Sequence, residues 1–389
     1  MAVRIPAGSY SYSKLKVLHY GLGSVSKLPE TIKHLGGTRA LLLTGKSVSK
    51  SPIFEDTKRA LGSAHVTSFT DIGQHTPVAG IKATLEILKE KEADVIVALG
   101  GGSPIDAAKA ISYYRNESTG AGFLKIVAIP TTLSAAEYTM NAGYTSEDGY
   151  KVSVNDPELC PDAIILDGNL TAYTPARLWL SSGIRALDHA VESLYRTPPV
   201  PFTIIESSLS SIPQLFENLI KSHADPSDLE VRQRLQLASY LSLAPNPRPG
   251  ALGLSHSLGH KLGATYQIPH GITSCLTLAK STELKARTSD SYSQSNLARA
   301  TKRLEDEMGE LLPRVSVSDE PEASKGGVIL SKYIEALVEK LGLSTTLSEY
   351  GVPKSDLEGI AKMMEKGGLA GTEGQPNVSQ VHGLLDSIY

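Results

Sequence analysis

The segment DVIVALGGGSPIDAAKAI, Asp94 to Ile111, limits what this chain can fold into more than any other stretch. An apolar run ends in three consecutive glycines, Gly100, Gly101 and Gly102, and helical spacing follows at once. A fully apolar strand feeding directly into a helix is the unit from which covered parallel sheets are built. Ser103 is placed to cap the helix, with Asp106 three positions on completing a capping box. Pro104 suits a first helical position that needs no amide bond. The glycines also let a pyrophosphate approach the main chain, and a helix start offers free N–H groups carrying partial positive charge. A tight turn without any ligand would use the same glycines. The spacing is neither a Walker motif, since GK[ST] is missing, nor the usual GxGxxG.

The same alternation runs through the first 170 residues. Ala40 to Thr44, Val66 to Phe69, Asp94 to Leu99, Lys125 to Ile129 and Ala163 to Leu166 read as buried strands, and Val78 to Lys91 as a helix. GLGSVS, Gly21 to Ser26, reads as a structural turn. From about Pro175 apolar residues recur three or four apart, over Ser181 to Leu194, Phe202 to Ile220, Leu229 to Leu243 and Ile334 to Leu341. Pro198, Pro199 and Pro201, then Pro245, Pro247 and Pro249, mark loops between them. Val315 to Gly327 reads as an exposed connection, and Gly367 to Pro376 as a loose segment before a last short helix. The expectation is an α/β dinucleotide-binding domain over 1–174 and an all-α substrate and catalytic domain over 175–389.

Composition excludes several function classes. Lysine plus arginine number 38 against 41 acidic residues, so no basic excess invites a nucleic acid or an anionic membrane. The two cysteines, Cys160 and Cys275, form no CxxC pair, which argues against a disulfide scaffold or thiolate metal site. The start MAVRIPAGSYSYSKLKV has no secretory apolar run, and no stretch of 18 apolar residues follows. A cytoplasmic protein is expected, and a homodimer is the default assembly.

A second polar turn, Pro130-Thr131-Thr132-Leu133-Ser134, also ends an apolar strand. Two such turns can face one crevice, the usual ligand position in open α/β sheets, and together they favour a dinucleotide. After ALLLT, Gly45 and Lys46 stand where nicotinamide enzymes often place an acid on the adenine ribose. Gly45 leaves room for a 2′-phosphate and Lys46 could neutralise it, so NADPH is a cofactor beside or instead of NADH. A solvated Lys46 is the plain alternative.

GLSHSLGHKLGATYQIPHG, Gly253 to Gly271, places His256 and His260 four apart on one helical face, with His270 beyond a bend at Gly263 and Pro269. SSGIRALDHAVE puts Arg185, Asp188 and His189 on another helix. Neutral imidazoles bind zinc or iron, and a remaining histidine can relay a proton. Lone histidines are more often structural, but four in this arrangement point to a site.

With GGGSPIDAAK, PTTLSAAE, DHAVE and HSLGHKLGATYQIPHG in this order, nearly the whole chain resembles the iron-containing alcohol dehydrogenase superfamily. The resemblance implies a dinucleotide-binding α/β domain, a helical domain and an active site between them. Gly100 to Ser103 and Asp106 then correspond to the pyrophosphate loop, and Thr131, Thr132 and Ser134 to the next cofactor turn. His189, His256 and His270 match three of four metal-ligand positions, and His260 the histidine near nicotinamide and substrate. At the fourth position the chain has Arg185, and arginine does not replace a carboxylate ligand. A divalent metal is therefore in doubt. The Arg-x-x-Asp-His pattern resembles the maleylacetate reductase branch, which implies catalysis by His260, Arg185 and Asp188 on an enone or carbonyl substrate, with a maleylacetate-like oxo-acid favoured. A metal-dependent alcohol dehydrogenase and a non-catalytic nucleotide-binding regulatory protein are the alternatives. A lyase of the dehydroquinate synthase type fits less well, because its phosphate-rich substrate calls for more cations around the cleft.

Overall fold

The computed structural model describes residues 12–74, 76–243 and 252–389. The loop expected at Pro245, Pro247 and Pro249 lies outside them. The strands are β1 (Val17–Tyr20), β2 (Ala40–Leu43), β3 (His65–Phe69), β4 (Val95–Gly100), β5 (Lys125–Pro130), β6 (Asn141–Thr145), β7 (Lys151–Asn155) and β8 (Ala163–Leu166). Six of them form one parallel sheet in the order β1-β8-β5-β4-β2-β3, and β6 and β7 pair as an antiparallel hairpin. Every residue of β2, β4 and β8 is buried, which is why those strands are continuous apolar runs.

Helices α1 (Leu28–His34), α2 (Lys46–Ser49), α3 (Pro52–Leu61), α4 (Val78–Glu90) and α5 (Gly102–Thr119) cover the sheet. The other lobe holds α6 (Ala176–Ser193), α7 (Phe202–Ala224), α8 (Leu229–Ser242), α9 (Leu254–Tyr266), α10 (His270–Thr288), α11 (Ser291–Met308), α12 (Glu322–Lys340), α13 (Leu357–Lys366) and α14 (Val378–Ser387). None of the described helices is long and apolar enough to cross a membrane.

Two apolar clusters lie on the two faces of the sheet and a larger one fills the helical lobe. The lobes are stitched by α8, whose Gln236 donates to the Pro130 carbonyl at 3.2 Å and Ser239 to the Leu133 carbonyl at 3.3 Å. Gln233 accepts the Gly168 amide at 3.0 Å. The helical lobe thus holds the ends of β5 and β8, where the threonine turn emerges.

Several sequence expectations need correction. A strand not among those expected, the half-exposed β1, precedes Ala40–Leu43, and it lacks a fully buried apolar run. Glu322 to Gly327, expected in an exposed connection, are the first turns of α12. Gly326 and Gly327 permit close helix packing there, since an added Cβ would stand 2.6 Å from Ala298 and Ala286 respectively. Gly263 lies inside α9, and the bend before α10 is made by Gln267 in the left-handed region and by Pro269.

Candidate functional site

The triple glycine does turn the chain from β4 into α5, but the helix starts earlier than expected. Gly101 is the residue before its first turn, and Ser103 and Pro104 lie inside it. Ser103 therefore does not cap the helix, and no side chain does. Asp106 accepts the Gly143 amide at 3.3 Å, tying α5 to the β6–β7 hairpin instead of closing a capping box. The uncapped amides are what an anionic group would need. Gly100 has φ near 141°, a conformation that excludes most side chains. An added Cβ on Gly101 would lie 3.1 Å from Thr132, and one on Gly102 would lie 3.4 Å from Ser134 Oγ. The glycine and threonine turns therefore touch, and the space left beside the uncapped start of α5 is one that side chains on these glycines would fill.

Two buried groups beneath these turns were not singled out from sequence. Lys109, fully buried, donates to the Ala136 and Asn141 carbonyls and to Thr139 Oγ1 at 2.6–3.0 Å. Glu137 is also buried, and its Oε2 has no hydrogen-bond partner.

Gly45 and Lys46 stand at the exit of β2, but the structure gives both a further role. A Cβ on Gly45 would meet the Ile72 carbonyl at 2.8 Å, so main-chain crowding already demands glycine. Lys46 Nζ pairs with Asp71 at 2.8 Å, both side chains being exposed. Asp71, just past β3, brings an acid to the edge where sequence reading saw only a cation.

The threonine turn leads straight to the second cluster. The Leu133 amide donates to Ser182 Oγ on α6 at 3.0 Å. The preceding residue, Ser181, packs so closely on α10 that a Cβ on Gly271 would lie 2.6 Å from its carbonyl carbon. Four imidazoles then follow one another: His189 to His256 at 5.2 Å between ring centres, His256 to His260 at 5.1 Å, and His260 to His270 at 5.6 Å. His189 is buried, His256 and His270 are half-buried, and His260 is exposed.

Arg185 is nearly buried beside them, on the α6 turn before His189. Its Nη2 donates to His256 Nε2 at 2.6 Å and its Nη1 to Ser274 Oγ at 3.2 Å, with Asp188 Oδ2 at 3.4 Å. Arginine has no lone pair to offer, so this contact makes His256 Nε2 an acceptor and leaves the proton on Nδ1. Burial and the adjacent guanidinium hold His256 well below the ordinary histidine range, so it is neutral. Asp188 Oδ2 also accepts from Ser255 Oγ at 3.1 Å and from Ser274 Oγ. Burial pushes its carboxyl up, and Arg185 with the two hydroxyls pulls it back.

Glu192 is the principal residue missed. Fully buried, it accepts the Ser255 amide at 2.7 Å and the His256 amide at 3.2 Å, and so caps α9 from a neighbouring helix. A Cβ on Gly253 would lie 2.5 Å from its carboxylate, which accounts for glycine there. The available signal was spacing: Arg185, Asp188 and Glu192 recur at three and four on one face of α6.

Among the described residues, the group of three donors whose atoms lie within 4.8 Å of one another is Asp188, Glu192 and His256. The expected trio His189, His256 and His270 is not such a group. The observed trio is partly committed to other partners, while Asp188 Oδ1 and His256 Nδ1 are buried without a hydrogen-bond partner. His256 Nε2 is occupied by a guanidinium, both Glu192 oxygens by amides, and Asp188 Oδ2 by hydroxyls and Arg185. Cation next to cation adds repulsion.

Comparison with known proteins follows the same lines. Residues 16–168 match the iron-containing alcohol dehydrogenase family, and residues 179–389 the C-terminal part of the Fe-containing alcohol dehydrogenase family. The chain is 28% identical to Dehydrogenase FUM7 of Gibberella moniliformis over 384 residues, 89% of each protein. It is 31% identical to a maleylacetate reductase of Pseudomonas aeruginosa over 281 residues, 72% of this chain and 75% of that one. The crystal structure of maleylacetate reductase from Agrobacterium tumefaciens shares the fold with a TM-score of 0.80 at 24% identity, covering 99% of both chains.

Proposed function

The chain belongs to the iron-containing alcohol dehydrogenase family as an NAD(P)H-linked oxidoreductase, and from that premise we propose that it reduces an enone or carbonyl of an oxo-acid without a catalytic metal. Reduced nicotinamide, when bound, supplies the hydride. The uncapped start of α5 and Gly101 would hold the pyrophosphate, while Thr131, Thr132 and Ser134 border the path toward α6. NADH and NADPH are both candidates, with Lys46 and Asp71 at the ribose edge.

Hydride addition to a carbonyl or a conjugated double bond leaves negative charge on the substrate oxygen. Arg185 is the group placed to stabilise that charge, doing electrostatically what a Lewis acid would do. Asp188, held by Ser255 and Ser274, fixes the guanidinium. His260, the exposed member of the imidazole series between His256 and His270, donates the proton that completes the reduction. The polar requirement for an oxo-acid follows from the same guanidinium, which can also take a carboxylate. Maleylacetate reductases among the relatives make a maleylacetate-like substrate the first to try.

The observation that carries this reading is the Arg185–His256 contact at 2.6 Å, because it places a cation where the family's metal would compete for the same imidazole. The test is to mix the purified, metal-stripped protein with NADH or NADPH and a panel including maleylacetate, simple oxo-acids, enones and aldehydes, following loss of reduced cofactor. Turnover of an oxo-acid or enone without added metal is expected. Activity lost on stripping and restored only by stoichiometric zinc or iron would overturn it in favour of a metal-dependent alcohol dehydrogenase.

A further inference from the structure

Lys109 lies on α5 with no exposed surface. Its ammonium has three donors and all three are used, on the Ala136 carbonyl at 2.6 Å, Thr139 Oγ1 at 2.7 Å and the Asn141 carbonyl at 3.0 Å. Burial works against its charge, while Asp106 at 3.8 Å and the buried Glu137 favour it. A buried ammonium is costly to keep. Here every hydrogen bond it makes lands on one short stretch of chain, Ala136 to Asn141.

That stretch continues the threonine turn and packs on α5. Gly102 and Lys109 are seven residues apart, about two turns, and so share a face of the helix. At Gly102 an added Cβ would lie 3.4 Å from Ser134 Oγ and 3.7 Å from the Ala136 Cβ. The chain from Ser134 to Asn141 therefore runs along α5 from the glycine turn to Lys109. Asp106, between the two, holds the same region through the Gly143 amide at 3.3 Å.

The segment also begins in a conformation that needs holding. Ala135 is buried with φ near 63°, in the left-handed region that costs an L-residue and persists only where the surroundings impose it. Lys109 makes its shortest bond to the carbonyl of the very next residue.

We infer that Lys109 is a positioning residue for the reduced cofactor. By clamping Ala136 to Asn141 onto α5 it fixes the wall formed by Ser134 and Ala136 against Gly102, and so the width of the space the pyrophosphate enters. It touches no ligand itself. The inference rests on the reading that the glycine and threonine turns hold the cofactor.

The test is a fluorescence titration of wild type and variants with NADH and NADPH, joined to steady-state kinetics. Lys109→Met should weaken cofactor binding at least about tenfold while kcat at saturating cofactor stays within about threefold of wild type. Adding Ala135→Gly to Lys109→Met should recover at least about threefold of the affinity, because glycine takes the left-handed conformation without a clamp. A lysine that only stabilised the fold would lower the urea midpoint and leave the Kd of the folded protein where it was. Equal Kd in wild type and Lys109→Met would overturn the proposal, and so would a weakening that Ala135→Gly does not relieve. Should Lys109→Met fail to fold, Thr139→Val, which removes one of the three acceptors, must weaken binding by at least about threefold instead. A wild type that binds neither cofactor overturns the reading of the two turns and this inference with it, whereas a wild type that binds and is matched by Lys109→Met overturns this inference alone.

Discussion

The Arg185 guanidinium donates to His256 Nε2 across 2.6 Å, and that one contact removes an imidazole lone pair from the set a cation could use. Arg185→Asp should therefore do two things. It returns a carboxylate at the fourth position and frees His256, so zinc should bind more tightly by calorimetry than it does to the wild type. Arg185→Ala should lower kcat by about 10²–10³-fold while leaving cofactor affinity unchanged, as expected for loss of a group that meets developing oxygen charge. Equal zinc affinity in wild type and Arg185→Asp would sink the first expectation, and a kcat within threefold of wild type the second.

Gly253 and Glu192 form a matched pair. Gly253 has an extended backbone, so its lack of a side chain answers crowding and not conformation. Gly253→Ala should cost about 1–3 kcal/mol of stability, read from urea unfolding, because a buried carboxylate must shift. It should also raise KM or lower kcat by displacing His256. In a Gly253→Ala, Glu192→Ala double variant the two costs should add to less than their sum. Strict additivity would mean that the alanine is accommodated elsewhere.

How far the sequence carried the structure differs between its two halves. Strands buried on both faces were legible because continuous aliphatic runs such as Val95 to Leu99 have one reading. β1 was not, because its residues are half exposed. The start of α5 was misplaced by two residues: Ser103 and Pro104 look like a start, yet glycines can themselves begin a helix when the turn needs their conformation. At the site, the histidines and Arg185 were visible by type and spacing. Glu192 was not, since its partners are main-chain amides 63 and 64 residues away. Asp71 escaped for the same kind of reason, as parallel pairing of β2 with β3 is what brings it to Lys46.

Asp71 and Lys46 also set a test of cofactor choice. Lys46 Nζ pairs with Asp71 at 2.8 Å, and in the proposed reading this pair stands at the adenine ribose. Asp71→Asn should shift the ratio of kcat/KM toward NADPH by about threefold to tenfold, a modest change because exposed pairs are weak. Lys46→Glu should shift it the other way. Steady-state kinetics with both cofactors decides, and a ratio unmoved by either substitution would place the phosphate elsewhere.

Glu137 makes folding stability depend on pH in a direction that can be worked out. Burial raises its carboxyl from 4.5 to about 7, since its charge has no bonded partner at Oε2 and Lys109 is spent on carbonyls and a hydroxyl. Below pH 4.5 both folded and unfolded chains carry the proton, and Glu137 adds no pH dependence. Between 4.5 and about 7 the unfolded chain ionises while the folded one keeps its proton, so the folded state binds more protons and stability falls as pH rises. Above about 7 the folded chain ionises too and the loss is complete, at roughly 3 kcal/mol. Glu137→Gln carries a neutral amide of the same shape through the whole range. Urea unfolding of both proteins should therefore show the variant gaining on the wild type between pH 4.5 and 8 by up to roughly 3 kcal/mol. Parallel stability profiles for the two proteins would show that Glu137 ionises inside the fold without penalty, and that a partner for Oε2 forms in solution.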